Sequence, residues 1–334
     1  MPGMDWSEHS HLSGGGTELS ARRLEKRLPA ELLDRFQIML GCYLRTEPNT
    51  IPIFWSQLLP KDPQGAHLAG GGWQRYARLV YVSNWQAREH MGAYGVPWSR
   101  FVVIPNGIEP IAVPEDRFEP IPADRPVRLV YTSTPHRGLH LLLPVFDRIC
   151  EERDDVELHV YSSMKLYGWE NEDGLFEPLY DALRAHPKVT YHGSVPNDEL
   201  REALRRADVL AYPSIYPETS CLCLIEAMSA GLVCVHPNFG CLYETAAGWT
   251  RMYQFHPNPR AHAVRFHREL TAAIDALRAG DPELRSTMAA QKQYADRFHS
   301  MDRVAAEWEA LLRGILDEES QAAWQPRGAA RTSA

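Results

Sequence analysis

The segment Tyr212-Pro-Ser-Ile-Tyr-Pro-Glu218-Thr-Ser-Cys-Leu-Cys-Leu-Ile-Glu226-Ala-Met-Ser-Ala-Gly231 sets two carboxylates on either side of a helix start. An apolar strand ends at Tyr212, and a proline-bounded loop then delivers Glu218. Thr219 or Ser220 can cap a helix running from Ser220 to Ala230, which Gly231 ends. The first amides of such a helix, on Thr219, Ser220, Cys221 and Leu222, lack intrahelical partners and carry the positive end of the dipole, so they form an anion site suited to a diphosphate. Glu226 lies roughly 9 Å further along the axis than Ser220, at ~1.5 Å per residue. That reach suits a hydroxyl pair better than a phosphate. Val130-Tyr-Thr-Ser-Thr-Pro-His-Arg137-Gly138 supplies a cation in a second loop, and a guanidinium can bridge two phosphate oxygens. Lys165, on the loop after the next strand, is a further basic candidate. Gly14-Gly15-Gly16-Thr17-Glu18 can bring backbone amides close to an anion, or can be a plain linker.

These residues need a scaffold, and the sequence supplies one. From Val127 onward strand and helix patterns alternate. Strands are expected over 127–132, 156–162, 189–193, 209–212 and 232–236, with helices over 139–153, within 175–185, and over 198–206 and 220–230. Such repetition predicts a parallel, doubly wound sheet, whose ligand crevice lies at the carboxyl ends of its strands. Glu218 and Arg137 both fall there. Shorter apolar runs at 36–40, 51–55, 78–83 and 101–104 predict a smaller α/β sheet that lacks an apolar strand ahead of the glycine run. Prolines 110, 114, 120, 122 and 126 mark a linker between the two. Helices are expected near 271–279, 285–298 and 301–316, the last with Val304, Trp308, Leu311, Leu312 and Ile315 at helical spacing. The division is thus 1–108, an acceptor-side Rossmann-like domain; 109–126, the linker; 127–298, the ligand-binding domain; 299–318, a helix crossing back; and 319–334, a mobile tail.

A chain of 334 residues, 44% hydrophobic, holds two ordinary cores, and a formal charge of −8 argues against a protein held mainly by nucleic-acid phosphates or anionic lipid. No run approaches the roughly 20 apolar residues of a membrane-spanning helix and no signal peptide opens the chain, so a cytoplasmic protein is expected. The six cysteines fit reduced, buried thiols, and their spacing fits no paired CxxC zinc site. No Asp-x-Asp ends an apolar strand, so no metal is expected. His9, His11, His90 and His136 are of a kind more often found on surfaces or in cores than in catalysis, although His136 adjoins Arg137. Arg22, Arg23, Lys26 and Arg27 read as a solvated helix face.

The Glu218 to Gly231 segment resembles the Glu-x7-Glu motif of family-4 retaining glycosyltransferases. Residues 78–110 and 127–250 are similar to the same family. Ser83-Asn84-Trp85-Gln86, Val103-Ile104-Pro105-Asn106-Gly107-Ile108, His192-Gly193 and Gly240-Cys-Leu-Tyr-Glu244 carry the likeness further. The resemblance implies a GT-B fold, an α/β architecture of two Rossmann-like domains facing a cleft, here with a reduced N-terminal domain. It implies transfer of a sugar, with retained anomeric configuration, from a UDP- or GDP-sugar to a hydroxyl acceptor such as a glycan or lipid-linked sugar. The nucleotide-sugar is substrate, and no cofactor is implied. Glu218 would contact the donor sugar and Arg137 the diphosphate, as the catalytic pair; Glu226 would hold the ribose. Gly15, Gly16, Lys165, His192, Gly193, Thr219, Ser220, Cys221 and Leu222 would complete the donor site. The family's earlier arginine on the diphosphate is replaced here within Tyr131 to Thr134, and no acceptor-side histidine is evident, Gln57 being a poor substitute. Other readings are a phage-type enzyme acting on a modified DNA base, the one role left for nucleic acid, a nucleotide-sugar epimerase, and a non-catalytic sugar-nucleotide-binding subunit.

Overall fold

The computed structural model describes residues 3–9, 13–42, 45–168 and 170–324, with side chains described as far as 320 and not at 170; the expected tail beyond 324 and His11 lie outside them. The first lobe contains β1 (Gly3–Asp5), α1 (Gly16–Glu25), α2 (Ala30–Leu33), β2 (Phe36–Leu40), β3 (Ile51–Ser56), β4 (Arg78–Tyr81), α3 (Asn84–Tyr94) and β5 (Phe101–Val103). Its five strands pair in parallel in the order β1-β2-β3-β4-β5. A short strand does therefore precede the glycine run. Gly3 pairs with Gln37 and Asp5 with Met39, and three residues with a glycine and an aspartate among them carry no apolar signature.

The second lobe contains β6 (Val127–Tyr131), α4 (Leu139–Glu152), β7 (Val156–Val160), α5 (Glu177–Ala185), β8 (Val189–Tyr191), α6 (Asn197–Leu204), β9 (Val209–Ala211), α7 (Leu222–Ser229), β10 (Val233–Pro237), α8 (Leu242–Ala246), β11 (Arg251–Tyr253), α9 (Pro259–Arg278) and α10 (Pro282–Phe298). Its six parallel strands run in the order β11-β10-β9-β6-β7-β8. Chain direction across the sheet reverses between β6 and β9, so the crevice of a doubly wound sheet opens between the loops that follow these two strands. β6, β9 and β10 are buried residue after residue except at Arg128, as a sheet covered on both faces requires.

One helix ties the lobes. After α10 the chain returns as α11 (Met301–Trp324), which lays Met301, Val304, Trp308, Leu312 and Ile315 into the first lobe's core beside Leu24, Ile53 and Trp55. The rings of Trp55 and Trp308 meet edge to face at 5.0 Å. The helix runs past 318, where the sequence placed its end. Neither glycine nor proline interrupts the residues from Ile315 to Trp324.

Three buried histidines and the half-buried His136 make the fold acid-sensitive. Burial pushes His90, His136, His236 and His299 down from 6.5 to about 4. His236 is fully buried, and its burial outweighs the Pro237 O at 2.9 Å from Nδ1, which favours the protonated ring; Nε2 lies 2.7 Å from Thr250 Oγ1. The unfolded chain takes up these protons near pH 6.5 and the folded one only near 4, so stability is full above 6.5 and lost as pH falls through that window. Between pH 7 and 5 the urea midpoint is expected to drop, each buried histidine costing up to about 2 kcal/mol. A midpoint flat over that range would show that these rings take up protons in the fold as readily as in the unfolded chain.

Candidate functional site

Arg137 and Glu218 meet at the crevice because the two loops are pressed together. After β6 the chain turns once in a 3-10 turn at Pro135–Arg137 and enters α4 through Gly138, at φ +114°. A Cβ on Gly138 would collide with the Pro213 carbonyl in the loop after β9, so only glycine permits the approach. The Arg137 Nη1 donates to Glu218 Oε2, Nη2 donates to Tyr167 Oη at 3.1 Å, and the guanidinium lies 4.4 Å from the Tyr216 ring centre. Glu218, 3% exposed, also accepts from Tyr212 Oη at 2.5 Å. Burial works against the charge of the Arg137 guanidinium, but the neighbouring Glu218 holds it well above its usual value.

The same loop leaves polar atoms without partners. Thr132 Oγ1, Thr134 Oγ1, His136 Nδ1 and Arg137 Nε are all buried and hydrogen-bonded to nothing among the described residues. Native proteins rarely leave such groups unmatched, and four on one crevice loop suit a polar ligand. His136, held near 4 by burial and by the neighbouring Arg137, is neutral at physiological pH.

Two helix ends face this crevice. α7 starts at Leu222 with Cys221 as its N-cap, one to two residues later than the sequence suggested. The first-turn amides without an intrahelical carbonyl are therefore those of Leu222, Cys223 and Leu224, the last of them met by the Cys221 thiol, and Thr219, Ser220 and Cys221 form the approach to them. Thr219 does not cap the helix, because its hydroxyl is spent across the cleft on Gln57 O at 2.8 Å. Opposite stands α1, opened by Gly15. A Cβ on Gly16 would lie 3.5 Å from Leu222, and one on Gly15 would lie 3.1 Å from the Tyr167 ring. The glycine run thus brings one helix N-terminus to another, and two dipole ends converging on one space favour an anion. Gly14 N bonds Leu166 O at 3.0 Å and closes the loop onto the second lobe.

Glu226 lies one turn into α7, 3% exposed. Its Oε1 accepts from Arg23 Nη2 at 2.9 Å, and its Oε2 lies 3.3 Å from Asn197 Nδ2. Arg23 overturns the reading of α1 as a solvated basic face. It is 8% exposed, and Arg22 and Arg27 are likewise engaged, with Ser13 O and with Glu109 and Asp302. Only Lys26 of that group is exposed.

The remaining predicted residues lie further out. Lys165 is exposed, outside the Arg137 network. His192 stacks on Tyr161 at 4.2 Å and meets His159 at 3.1 Å, with Gly193 following at φ +68°. Burial and the nearby His159 lower the His192 imidazole. Gln57, the poor substitute for an acceptor-side histidine, forms a reciprocal amide pair with Asn106 at 2.8 and 2.7 Å on the first lobe's side. Glu244 caps α3 from the other lobe, accepting from the amides of Asn84 at 2.8 Å and Trp85 at 3.0 Å. Tyr167 is a further residue that sequence reasoning missed, since no motif marks it.

Residues 115–275, which hold Arg137, Glu218 and Glu226, match the family of glycosyl transferases group 1. Among solved structures the chain is similar to a glycosyltransferase from Rickettsia africae, at 14% identity over 90% of this chain and 81% of that one, with a TM-score of 0.63. Sucrose-phosphate synthase from Thermosynechococcus elongatus aligns at 16% identity over 85% and 74% of the two chains, TM-score 0.63. HepE from Anabaena, solved in complex with UDP, aligns at 14% identity over 89% and 82%, TM-score 0.62. No curated protein sequence matches the chain. Two parallel-sheet lobes of this arrangement are the GT-B fold, and the match to glycosyl transferases group 1 falls on residues 115–275 of it.

Proposed function

We propose that the chain is a retaining, metal-independent glycosyltransferase that moves a sugar from a nucleoside diphosphate donor to a hydroxyl acceptor. The observation that carries this reading is the crevice between the β6 and β9 loops. There a buried guanidinium with an unpartnered Nε, two converging helix N-termini and two buried carboxylates frame one space. A diphosphate fits the cationic and amide donors, and hydroxyl groups fit the carboxylates. HepE, of the same fold, is known with UDP and with UDP-glucose.

In this reading Arg137 and the first amides of α7 stabilise the departing diphosphate as charge develops on it, which is where preorganised donors lower a barrier. Glu218 orients the sugar. The acceptor hydroxyl attacks from the face the nucleotide leaves, and its proton passes to the departing phosphate oxygen. Glu226 receives the ribose hydroxyls at Oε2, the oxygen that Arg23 leaves free.

Donor binding to the folded chain raises its melting temperature by mass action. In a screen of UDP-, GDP- and ADP-sugars at least one is expected to shift the transition, and Glu226→Ala to weaken that donor by about tenfold or more, a hydrogen bond to a charged group being worth ~1.5–3 kcal/mol. An equal shift in Glu226→Ala would remove the ribose role, and no shift with any donor would remove the reading as a whole.

A further inference from the structure

Arg23 points out of its own lobe. Its Nη2 donates to Glu226 Oε1 and to Asn197 Oδ1, each at 2.9 Å, and its Nη1 to Gly107 O at 3.3 Å. One guanidinium therefore joins α1, the crossing segment at Gly107, α6 and α7. Arg201 Nη1 stands 3.6 Å from the same Glu226 oxygen. Elsewhere the lobes meet through Gly14 and Ser13 on Leu166 O, Thr219 on Gln57, the exposed Arg88 on Tyr243, and Glu244 on the backbone and side-chain amides of exposed Asn84 and the backbone amide of Trp85. Arg23 and Glu226 differ from these in being oppositely charged and buried, 9% and 3% exposed as side chains.

Such a pair acts on two things together. Separating the lobes takes Arg23 from Glu226 and leaves a buried carboxylate short of its main donor, which a planar, multidentate guanidinium otherwise supplies. With the lobes together, Oε1 accepts from Arg23 at 2.9 Å and from Asn197 at 3.4 Å, while Oε2 accepts from Asn197 alone, at 3.3 Å, among the described residues. The carboxylate is then fixed in orientation and open on one oxygen. We propose that Arg23 is a positioning residue that couples closure of the two lobes to nucleoside binding at Glu226. The proposal rests on Glu226 as the nucleoside-binding carboxylate. A ligand hydroxyl at Oε2 finds the acceptor preorganised only when Arg23 has crossed the cleft, so closure strengthens nucleoside binding and nucleoside binding strengthens closure by the same factor.

The test uses the full chain, with UDP as the probe. The radius of gyration without nucleotide, from small-angle X-ray scattering, and the UDP dissociation constant, from calorimetry, are compared for wild type, Arg23→Gln and Arg23→Lys. Arg23→Gln is expected to enlarge the free protein and to weaken UDP by about tenfold, within the usual range of such couplings. Arg23→Lys, which keeps the charge and loses the fork, should recover part of both. A merely structural role would lower stability without moving affinity and size together. Wild-type size and affinity in Arg23→Gln overturn the proposal. Failure of UDP, GDP and ADP alike to bind wild type while Arg23→Gln still opens the lobes overturns the nucleoside reading, and the coupling with it; if GDP or ADP binds in place of UDP, it is the probe for the comparison. Should Arg23→Gln not fold, Arg23→Lys carries the comparison, and wild-type values there overturn it.

Discussion

Arg137→Met is expected to lower donor turnover by about 10²- to 10³-fold, the usual cost of removing one preorganised donor from developing negative charge. The substitution keeps the length and apolar stem of the side chain and deletes its charge. Three partners are lost at once: the Glu218 carboxylate, the Tyr167 hydroxyl and the face of Tyr216. Glu218 then keeps only Tyr212, and an ionised carboxylate 3% exposed with one neutral donor is costly. Breaking a buried pair by removing one partner destabilises by about 3–5 kcal/mol, so a lower urea midpoint is expected alongside the kinetic loss. Double substitution separates the two effects. Arg137→Met with Glu218→Gln removes the orphaned charge and should regain stability, while turnover stays low because the diphosphate has lost its cation and the sugar its carboxylate, so the kinetic loss is not a consequence of instability. Arg137→Lys should fall between, since an ammonium cannot hold Glu218, Tyr167 and a phosphate in one plane. Release of the nucleoside diphosphate from a saturating donor is the measurement. A loss of less than fivefold in Arg137→Met would make Arg137 a prop for Glu218 and no more.

The donor-side lobe was legible because its strands are buried on both faces and its helices on one. Val127–Tyr131 and Val233–Pro237 read as strands from composition alone, and their alternation with helices implied the parallel order and so the crevice that brings Arg137 to Glu218. Local signals failed where a distant partner decided the outcome. Thr219 and Ser220 are good capping types, yet α7 starts at Leu222, because the Thr219 hydroxyl bonds Gln57 across the cleft. Arg23 stands among three other basic residues, and a dense basic helix is ordinarily solvated. Its burial follows from Glu226, which lies 203 residues away. Strands β1 and β11 are three residues each, too short for alternation to register, and both owe their form to a longer parallel neighbour. α9 begins twelve residues ahead of the expected 271, at Pro259, where Asn258 accepts from the amides of Arg260 and Ala261. An Asn-Pro step is as much a turn signal as a helix start, and only the cap bonds decide between them.

Gly240→Ala should displace Glu218 without touching any charged group. Gly240 holds φ +63° between β10 and α8, and its Cα lies against the backbone of the Glu218 loop. A methyl there would collide with the amide nitrogen of Glu218 and would stand 2.5 Å from its carbonyl oxygen and 2.6 Å from the Pro217 carbonyl carbon. These are main-chain atoms, held by the Cys241 amide on Glu218 O at 2.7 Å, so no side-chain rotation relieves the contact. The loop must move, carrying Glu218 away from Tyr212 and Arg137. Overpacking of this kind costs about 1–3 kcal/mol, to which a left-handed alanine adds roughly 1 more. Gly248 separates the two contributions, since it has φ +84° with nothing within 4 Å of a built Cβ. Gly248→Ala should show the conformational cost alone, near 1 kcal/mol, with turnover unchanged. Gly240→Ala should lose more stability and, because catalytic geometry tolerates little more than ~0.5 Å of error, at least tenfold in turnover. Equal behaviour of the two alanine variants would mean that the Glu218 loop yields freely, and that its carboxylate is not held in place by the turn beneath it.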